Sequence, residues 1–338
     1  MRATLIDAPF DVRLADVEAP TVEQPTDAVV RVVASCICGS DLWSYRGEND
    51  VTPGTRIGHE LVGVVEDVGG SVSSLSTGDH VVAPFTYSDG TCDHCANGVQ
   101  TSCRAGGFYD GCQAELVRVP QADGTLVRVP ATSDDAGLRS LLALSDVMGT
   151  GWHAAVCAGV REGSTVAVVG DGAVGLCGVL AAVRMGASQV IAMSRHEPRA
   201  ALARAYGATD VVGERGDEGI EAVRTLTGGA GVDSVLECVG NGAAMEQALG
   251  AVRPGGQVGF VGVPHGVALE PRDLFRRNVG VRGGIAPVRA YLPALMADVL
   301  DHSIDPGRVF DLTLPLAEVA EGYAAMHERR AIKVLLRP

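Results

Sequence analysis

Apolar positions change rhythm near the middle of the chain. Up to residue 145 they fall in short runs broken by Gly, Pro and Asp, such as Ala28-Val-Val-Arg-Val-Val33, Leu61-Val-Gly-Val-Val-Glu-Asp-Val68 and His80-Val-Val-Ala83. Val-rich runs bounded by turn formers predict β-strands, and the series predicts an antiparallel, barrel-like domain. From about Thr165, apolar runs alternate with Ala-rich stretches. The segments 165–169, 189–193, 234–239 and 257–263 are continuous enough to predict strands buried on both faces, and 174–185 has helical spacing between the first two. That alternation predicts βαβ units on a parallel sheet. After Pro287, residues 291–302 again have helical spacing and 332–336 read as a strand. A chain that returns to its first domain in this way makes that domain discontinuous, 1–149 with 288–338, around an insert of 150–287.

Bulk properties narrow the function classes. A chain of 338 residues is long for one core, which agrees with two domains. The net charge of −14 would repel phosphates, which argues against a nucleic-acid partner. No apolar run reaches the roughly 18 residues that a spanning helix needs. The start, Met1-Arg-Ala-Thr-Leu-Ile-Asp7, meets an acid too early for a signal peptide. The expectation is a cytoplasmic protein with no membrane partner. There, nine cysteines, an odd number, favour metal over disulfides. Cys157, Cys177 and Cys238, in apolar or Gly-rich surroundings, read as small buried hydrophobes. Lysine occurs once, as Lys333.

Two constellations carry chemistry. Cys38, in Cys36-Ile-Cys38-Gly-Ser40-Asp41, and His59, in Gly58-His59-Glu60, offer a thiolate and an imidazole, and Asp146, before a Gly-rich segment expected to turn, offers a carboxylate. Three such ligands suit a zinc ion with a fourth position open, the arrangement of catalytic sites. Asp41 is placed to fix the other His59 nitrogen, and Glu60 to serve as an extra ligand or base. The second constellation is Val166-Ala-Val-Val-Gly170-Asp-Gly172-Ala173-Val174-Gly175, a strand entering a phosphate-binding turn that opens a helix. At the end of the next strand, where an NAD site usually has an acid, stands Ser194. Arg195, His196 and Arg199 crowd the place of a 2′-phosphate, so NADP is expected over NAD; stacking of Arg195 on an NAD adenine is the alternative. A metal that polarises oxygen and a bound dinucleotide together imply hydride transfer to or from a carbonyl.

Cys-Gly-Ser-Asp, Gly-His-Glu and Leu144-Ser-Asp146-Val-Met-Gly-Thr150-Gly resemble the motifs of the zinc-containing medium-chain dehydrogenase/reductase family, in the family's order over nearly the whole chain. The resemblance implies a GroES-like, β-barrel-type catalytic domain joined to a Rossmann doubly wound parallel sheet. It implies catalytic zinc on Cys38, His59 and Asp146, with Ser40 as the hydroxyl that passes a proton. Where many members continue that relay with histidine, this chain has Trp43, which cannot. Family members with a structural zinc show C-x2-C-x2-C-x7-C; here Cys92, Cys95 and Cys103 keep the spacing and Asp89 takes the first place. Either Asp89 completes the shell, or His94 does, or the lobe has lost its metal. By the same resemblance Thr150, Val261, Gly284 and Ile285 approach the nicotinamide, Lys333 the pyrophosphate, and Trp43, Phe85 and Phe108 line the substrate pocket. It implies a small alcohol or carbonyl substrate and a homodimer or homotetramer, with 256–263 and 278–285 as candidate edge strands. Conjugate reduction of an activated alkene with NADPH, on the same fold, is the rival activity.

Overall fold

The computed structural model describes residues 1–131 and 134–338. The chain forms two compact units, Met1–Asp146 with Pro287–Pro338, and Val147–Ala286. The boundaries expected at 149/150 and 287/288 thus fall at 146/147 and 286/287.

The first unit is built on a sheet ordered Val127–Arg128, His80–Ala83, Leu61–Val68, Ala28–Cys36, Lys333–Arg337, Phe310–Pro315, with Leu116–Val119 also paired to Ala28–Cys36. Its pairings are antiparallel except for the last two strands, which run parallel. The C-terminal strand Lys333–Arg337 therefore pairs with Ala28–Cys36 from the early part of the chain, with Leu335 opposite Cys36 and Leu336 opposite Ser35. Alternate residues of these strands fill a core that includes Val30, Val32, Leu61, Val65 and Val81. A second core joins Ile37, Leu42 and Tyr45 to Tyr323 and Val334. The loop that leaves Ala28–Cys36 towards Cys38 is anchored by Ile37, a member of this second core.

The second unit is a parallel sheet ordered Asp210–Val212, Gln189–Met193, Thr165–Val169, Val232–Glu237, Val252–Phe260, Gly280–Gly283. Chain order reverses between Thr165–Val169 and Val232–Glu237, and the crevice beyond the carboxyl ends of such strands is where this architecture binds ligands. Two predicted strands shift towards the N-terminus. The run expected at 234–239 ends at Glu237 because its own Oε1 accepts from Val239 N and Gly240 N, 2.8 Å each, and turns the chain out of the sheet. The run expected at 257–263 ends at Phe260, since Val261 N and Gly262 N bond back to Glu237 O. Val252–Phe260 pairs on both sides, so of the two expected edge segments only Gly280–Gly283 lies at the edge.

Glycines set two close approaches in this unit. The segment after Asp146 is not a turn but the start of the helix Val147–Cys157. A Cβ on Gly151 would stand 2.5 Å from Gly178 N, so the helix lies backbone-to-backbone on Ala173–Arg184. A Cβ on Gly259 would stand 2.1 Å from Ala154 O, so the same helix also presses on the sheet.

Asp123 provides a pH-dependent clasp on the first unit. Its carboxylate accepts from the backbone N–H and the hydroxyl of both Ser73 and Ser74 at 2.6–3.0 Å. Burial opposes its ionisation, but these four donors prevail and hold its pKa at about 2, below the usual 3.8. A depressed carboxyl stabilises the fold in full above pH ~4 and loses that contribution as pH falls towards ~2. Asp123→Asn should shift unfolding by about 1 kcal/mol, reduced from the full linkage value because the group is largely solvated. In urea melts the gap between variant and parent should stay flat from pH 8 to 5 and narrow below ~4. A gap that widens on acidification contradicts the clasp.

Candidate active site

The strand Ala28–Cys36 ends in a loop whose next residues are Ile37 and Cys38, and Gly58, His59 and Glu60 precede Leu61–Val68, the neighbouring strand. Pairing of these strands brings Cys38 to His59, and the helix Asp135–Ala143 leads on to Asp146. One ligand atom each from Cys38, His59, Glu60 and Asp146 lies within 4.8 Å of all the others. Cys38 Sγ is 3.5 Å from Asp146 Oδ2, and His59 Nε2 is 3.9 Å from the same oxygen. The group is buried, with Glu60 wholly so and His59 partly accessible.

Asp41 organises the surroundings. Its Oδ1 lies 3.5 Å from His59 Nδ1, while Oδ2 accepts from Cys38 N at 3.0 Å and from Gln113 Nε2 at 3.2 Å. With Nδ1–H turned to Asp41, the Nε2 lone pair faces the cluster. Gln113 also meets the Tyr323 hydroxyl, which lies 3.5 Å from Asp41 Oδ2. Asp110 Oδ1 approaches His59 Nδ1 at 3.9 Å. Gln113, Tyr323 and Asp110 carry no local motif; only folding brings them here.

Lys333 corrects an expectation. It is 1% exposed, with Nζ 2.7 Å from Glu60 Oε1 and donating at 3.3 Å to Ile37 O, so its amine has no free surface to offer a pyrophosphate. The reason is register: the C-terminal strand starts at Lys333 beside the Cys36–Cys38 loop. Burial works against the ammonium, but Cys36 and Glu60 hold its pKa well above the ordinary value. Burial likewise opposes the Glu60 carboxylate, and Lys333 then His59 hold its pKa below the usual range.

The electrostatics fit a cation. Burial raises the Cys38 thiol, and the carboxylates of Asp146 and Glu60 raise it further. Burial disfavours the His59 imidazolium, yet Asp41 and Cys38 outweigh it and draw the pKa well above 6.5. Cys38, Asp41, Glu60 and Asp146 therefore face one ammonium and one imidazole, an excess of acidic groups that a divalent ion would reduce. Thiolate, imidazole and carboxylate are a zinc donor set.

Of the remaining site expectations in this unit, Ser40 is exposed and precedes the helix Asp41–Tyr45 without capping it, so its hydroxyl is not committed to the helix. Phe85 meets the His59 ring edge-on at 6.2 Å and stacks on Phe108 at 6.3 Å. Trp43 is half-buried in the short helix.

In the cysteine lobe, ligand atoms of Asp89, Cys92, Cys95 and Cys103 also lie within 4.8 Å of one another. Cys92 Sγ is 3.6 Å from Cys95 Sγ and 3.8 Å from Cys103 Sγ. Asp89 Oδ1 accepts from Thr91 N at 2.7 Å and Cys92 N at 2.9 Å; the Cys92 and Thr91 donors hold its carboxyl well below the usual range. Burial drives the Cys95 thiol up to about 12, with Cys92 adding to it. His94 stands outside the group, near Asp93 at 3.9 Å.

In the second unit, Gly170 (φ +113°) turns the chain out of Thr165–Val169, and a Cβ on Gly175 would stand 1.9 Å from Gly170 O. Gly172 begins the helix Ala173–Arg184 without a side-chain cap and has open space where a Cβ would point. The first-turn N–H groups of Ala173, Val174 and Gly175 lie before the first full helical turn, the feature by which helix N-termini attract anions. Ser194 is 3% exposed at the end of the next strand, Arg195 is exposed, and His196 and Arg199 are half-buried. Thr150 is buried in its helix, Val261 is half-buried after its strand, Gly284 has φ +133°, and Ile285 is 53% exposed. Cys157 and Cys177 are buried as expected, whereas Cys238 is partly exposed.

Residues 24–131 match the alcohol dehydrogenase GroES-like domain and residues 173–301 the zinc-binding dehydrogenase family. A probable zinc-binding alcohol dehydrogenase of Mycobacterium tuberculosis is 37% identical over 351 aligned residues, spanning 100% of this chain and 89% of the relative. An NADP-dependent isopropanol dehydrogenase of Clostridium beijerinckii is 32% identical over 317 residues, 89% of this chain and 88% of its own length. The alcohol dehydrogenase of Thermus sp. ATN1 superposes with a TM-score of 0.92 at 35% identity, over 100% of this chain and 99% of that one.

Removing Lys333 should expose how tightly the Glu60 pair is built. In chelator-treated protein, Lys333→Met leaves a buried carboxylate without a partner and should destabilise the first unit by about 3–5 kcal/mol. Adding Glu60→Gln should recover most of the loss, because a neutral buried pair carries no desolvation penalty of that size. Additive losses in thermal melts contradict the pairing.

Proposed function

The chain belongs to the zinc-binding alcohol dehydrogenases of the medium-chain dehydrogenase/reductase family, and we propose that it interconverts an alcohol with its aldehyde or ketone using NADP(H). The observation that carries this reading is the convergence of Cys38, His59, Glu60 and Asp146 on one buried, acid-rich point. Cys38, His59 and Asp146 would hold the metal, and Glu60, tied to Lys333, would stand by as a further oxygen donor. Zinc held there supplies a Lewis acid for the substrate oxygen, and NADP(H) supplies the hydride chemistry.

The chain's own residues do the rest. Asp41 fixes the His59 ring so that its Nε2 is available, and Gln113 and Tyr323 fix Asp41. The uncommitted, exposed Ser40 hydroxyl takes the substrate proton on oxidation and returns it on reduction. Trp43, beyond it, cannot carry the proton onward, so it leaves through solvent. Phe85 and Phe108 give this face an aromatic wall, which favours a hydrophobic or aromatic alcohol over a polyol. In the lobe, Asp89, Cys92, Cys95 and Cys103 would close a tetrahedral shell around a second, structural zinc. Arg195 and His196 favour the 2′-phosphate of NADP, and the relative of Clostridium beijerinckii is an NADP-dependent enzyme.

Elemental analysis should find about two zinc ions per chain, falling to about one in Cys38→Ala and, separately, in Cys95→Ala. Cys38→Ala should lose alcohol oxidation while still binding NADPH. An unchanged zinc content in Cys38→Ala overturns the site; turnover of activated alkenes but of no alcohol or ketone replaces the reaction. Arg195→Asp should raise KM for NADPH by roughly ten- to a hundredfold, the loss of one charged hydrogen bond, and leave NADH nearly unaffected. An unaltered preference contradicts the role of Arg195.

A further inference from the structure

The end of Gln189–Met193 has no acid of its own, but a carboxylate from a neighbouring loop reaches it. Asp171, between Gly170 and Gly172 of the phosphate turn, receives a hydrogen bond from Ser194 Oγ to its Oδ2 at 2.9 Å. Its Oδ1 lies 3.5 Å from Arg199 Nη1, which also donates to the Asp171 carbonyl at 3.3 Å. The Asp171 and Arg199 side chains are each 12% exposed. A carboxylate is thus locked onto the very hydroxyl that occupies the ribose-reading position.

An acid there accepts bonds from the adenosine ribose hydroxyls and repels a 2′-phosphate. Asp171 brings the same charge to the same strand end by another route. Its ion pair with Arg199 also commits one of the cations counted towards the 2′-phosphate, which leaves Arg195, exposed, and His196 as the remaining attraction. We propose that Asp171 is the ribose-reading carboxylate of this chain, and that its opposition to Arg195 sets how far NADP(H) is favoured over NAD(H). The proposal rests on the dinucleotide site described above, not on the direction of the cofactor preference.

The test is equilibrium binding to the full-length protein, read by fluorescence or calorimetry, of NADPH, NADH, AMP and adenosine 2′,5′-bisphosphate. Asp171→Asn, nearly isosteric, should weaken NADH and AMP several-fold and tighten NADPH and the bisphosphate, moving selectivity towards the phosphorylated forms by roughly tenfold or more. Asp171→Asn with Ser194→Asp returns the acid to the strand end and should restore NADH and AMP binding. This double variant also separates loss of charge from damage to the turn, and circular dichroism checks the fold of both. Equal changes for all four ligands, or no recovery in the double variant, overturn the proposal. Should the parent bind NADH more tightly than NADPH, the NADP preference fails while the shift caused by Asp171→Asn still decides this proposal. Binding of none of the four nucleotides defeats both.

Discussion

The chain's single lysine is buried against Glu60, and the candidate metal site of the first unit is arranged around that pair. Burying an ion pair is costly unless each charge is otherwise satisfied. Here Lys333 also bonds Ile37 O, and Ser145 Oγ lies 3.5 Å from Glu60 Oε2. The pair ties the last strand to the loops that carry Cys38 and His59. It also holds Glu60 ionised beside Cys38 and Asp146, so a compact excess of negative charge remains. A cation that relieves such an excess binds strongly, because burial makes every uncompensated charge expensive. Any metal affinity here would thus draw on the same interaction as folding.

The second unit solves a different problem with backbone alone. The turn after Thr165–Val169 must close tightly while a helix lies against the sheet, and side chains at three glycines would prevent this. Gly175 allows the turn to close on Gly170, Gly151 allows helix on helix, and Gly259 allows helix on sheet. At the strand end the Asp171 carboxylate holds both the Ser194 hydroxyl and the Arg199 guanidinium.

Much of this was legible in the order of residues. Strands such as Leu61–Val68 and Thr165–Val169 appeared at the predicted positions because apolar runs bounded by turn formers have few other ways to bury themselves. The candidate metal donors Cys38, His59 and Asp146 could be picked out because thiol, imidazole and carboxylate are recognisable chemistry, and the fold brings them together. Strand ends were less so: Val232–Glu237 stops where Glu237 folds back to cap its own loop, a contact that periodicity does not encode. The Gly-rich stretch after Asp146 misled for a related reason, since glycine permits a turn and a close helix contact alike.

The sequence by itself determined the element types, the two-part organisation and the kinds of donor atom available, because these follow from local periodicity and side-chain chemistry. Only the tertiary structure decided which charges meet. Lys333 and Glu60 are 273 residues apart, and Tyr323 and Asp41 are 282 apart. Asp171 reaches Ser194 across 23 residues because parallel pairing sets the two strand ends side by side. Burial gives these encounters their strength, and burial is a property of the packed chain, not of any segment in it.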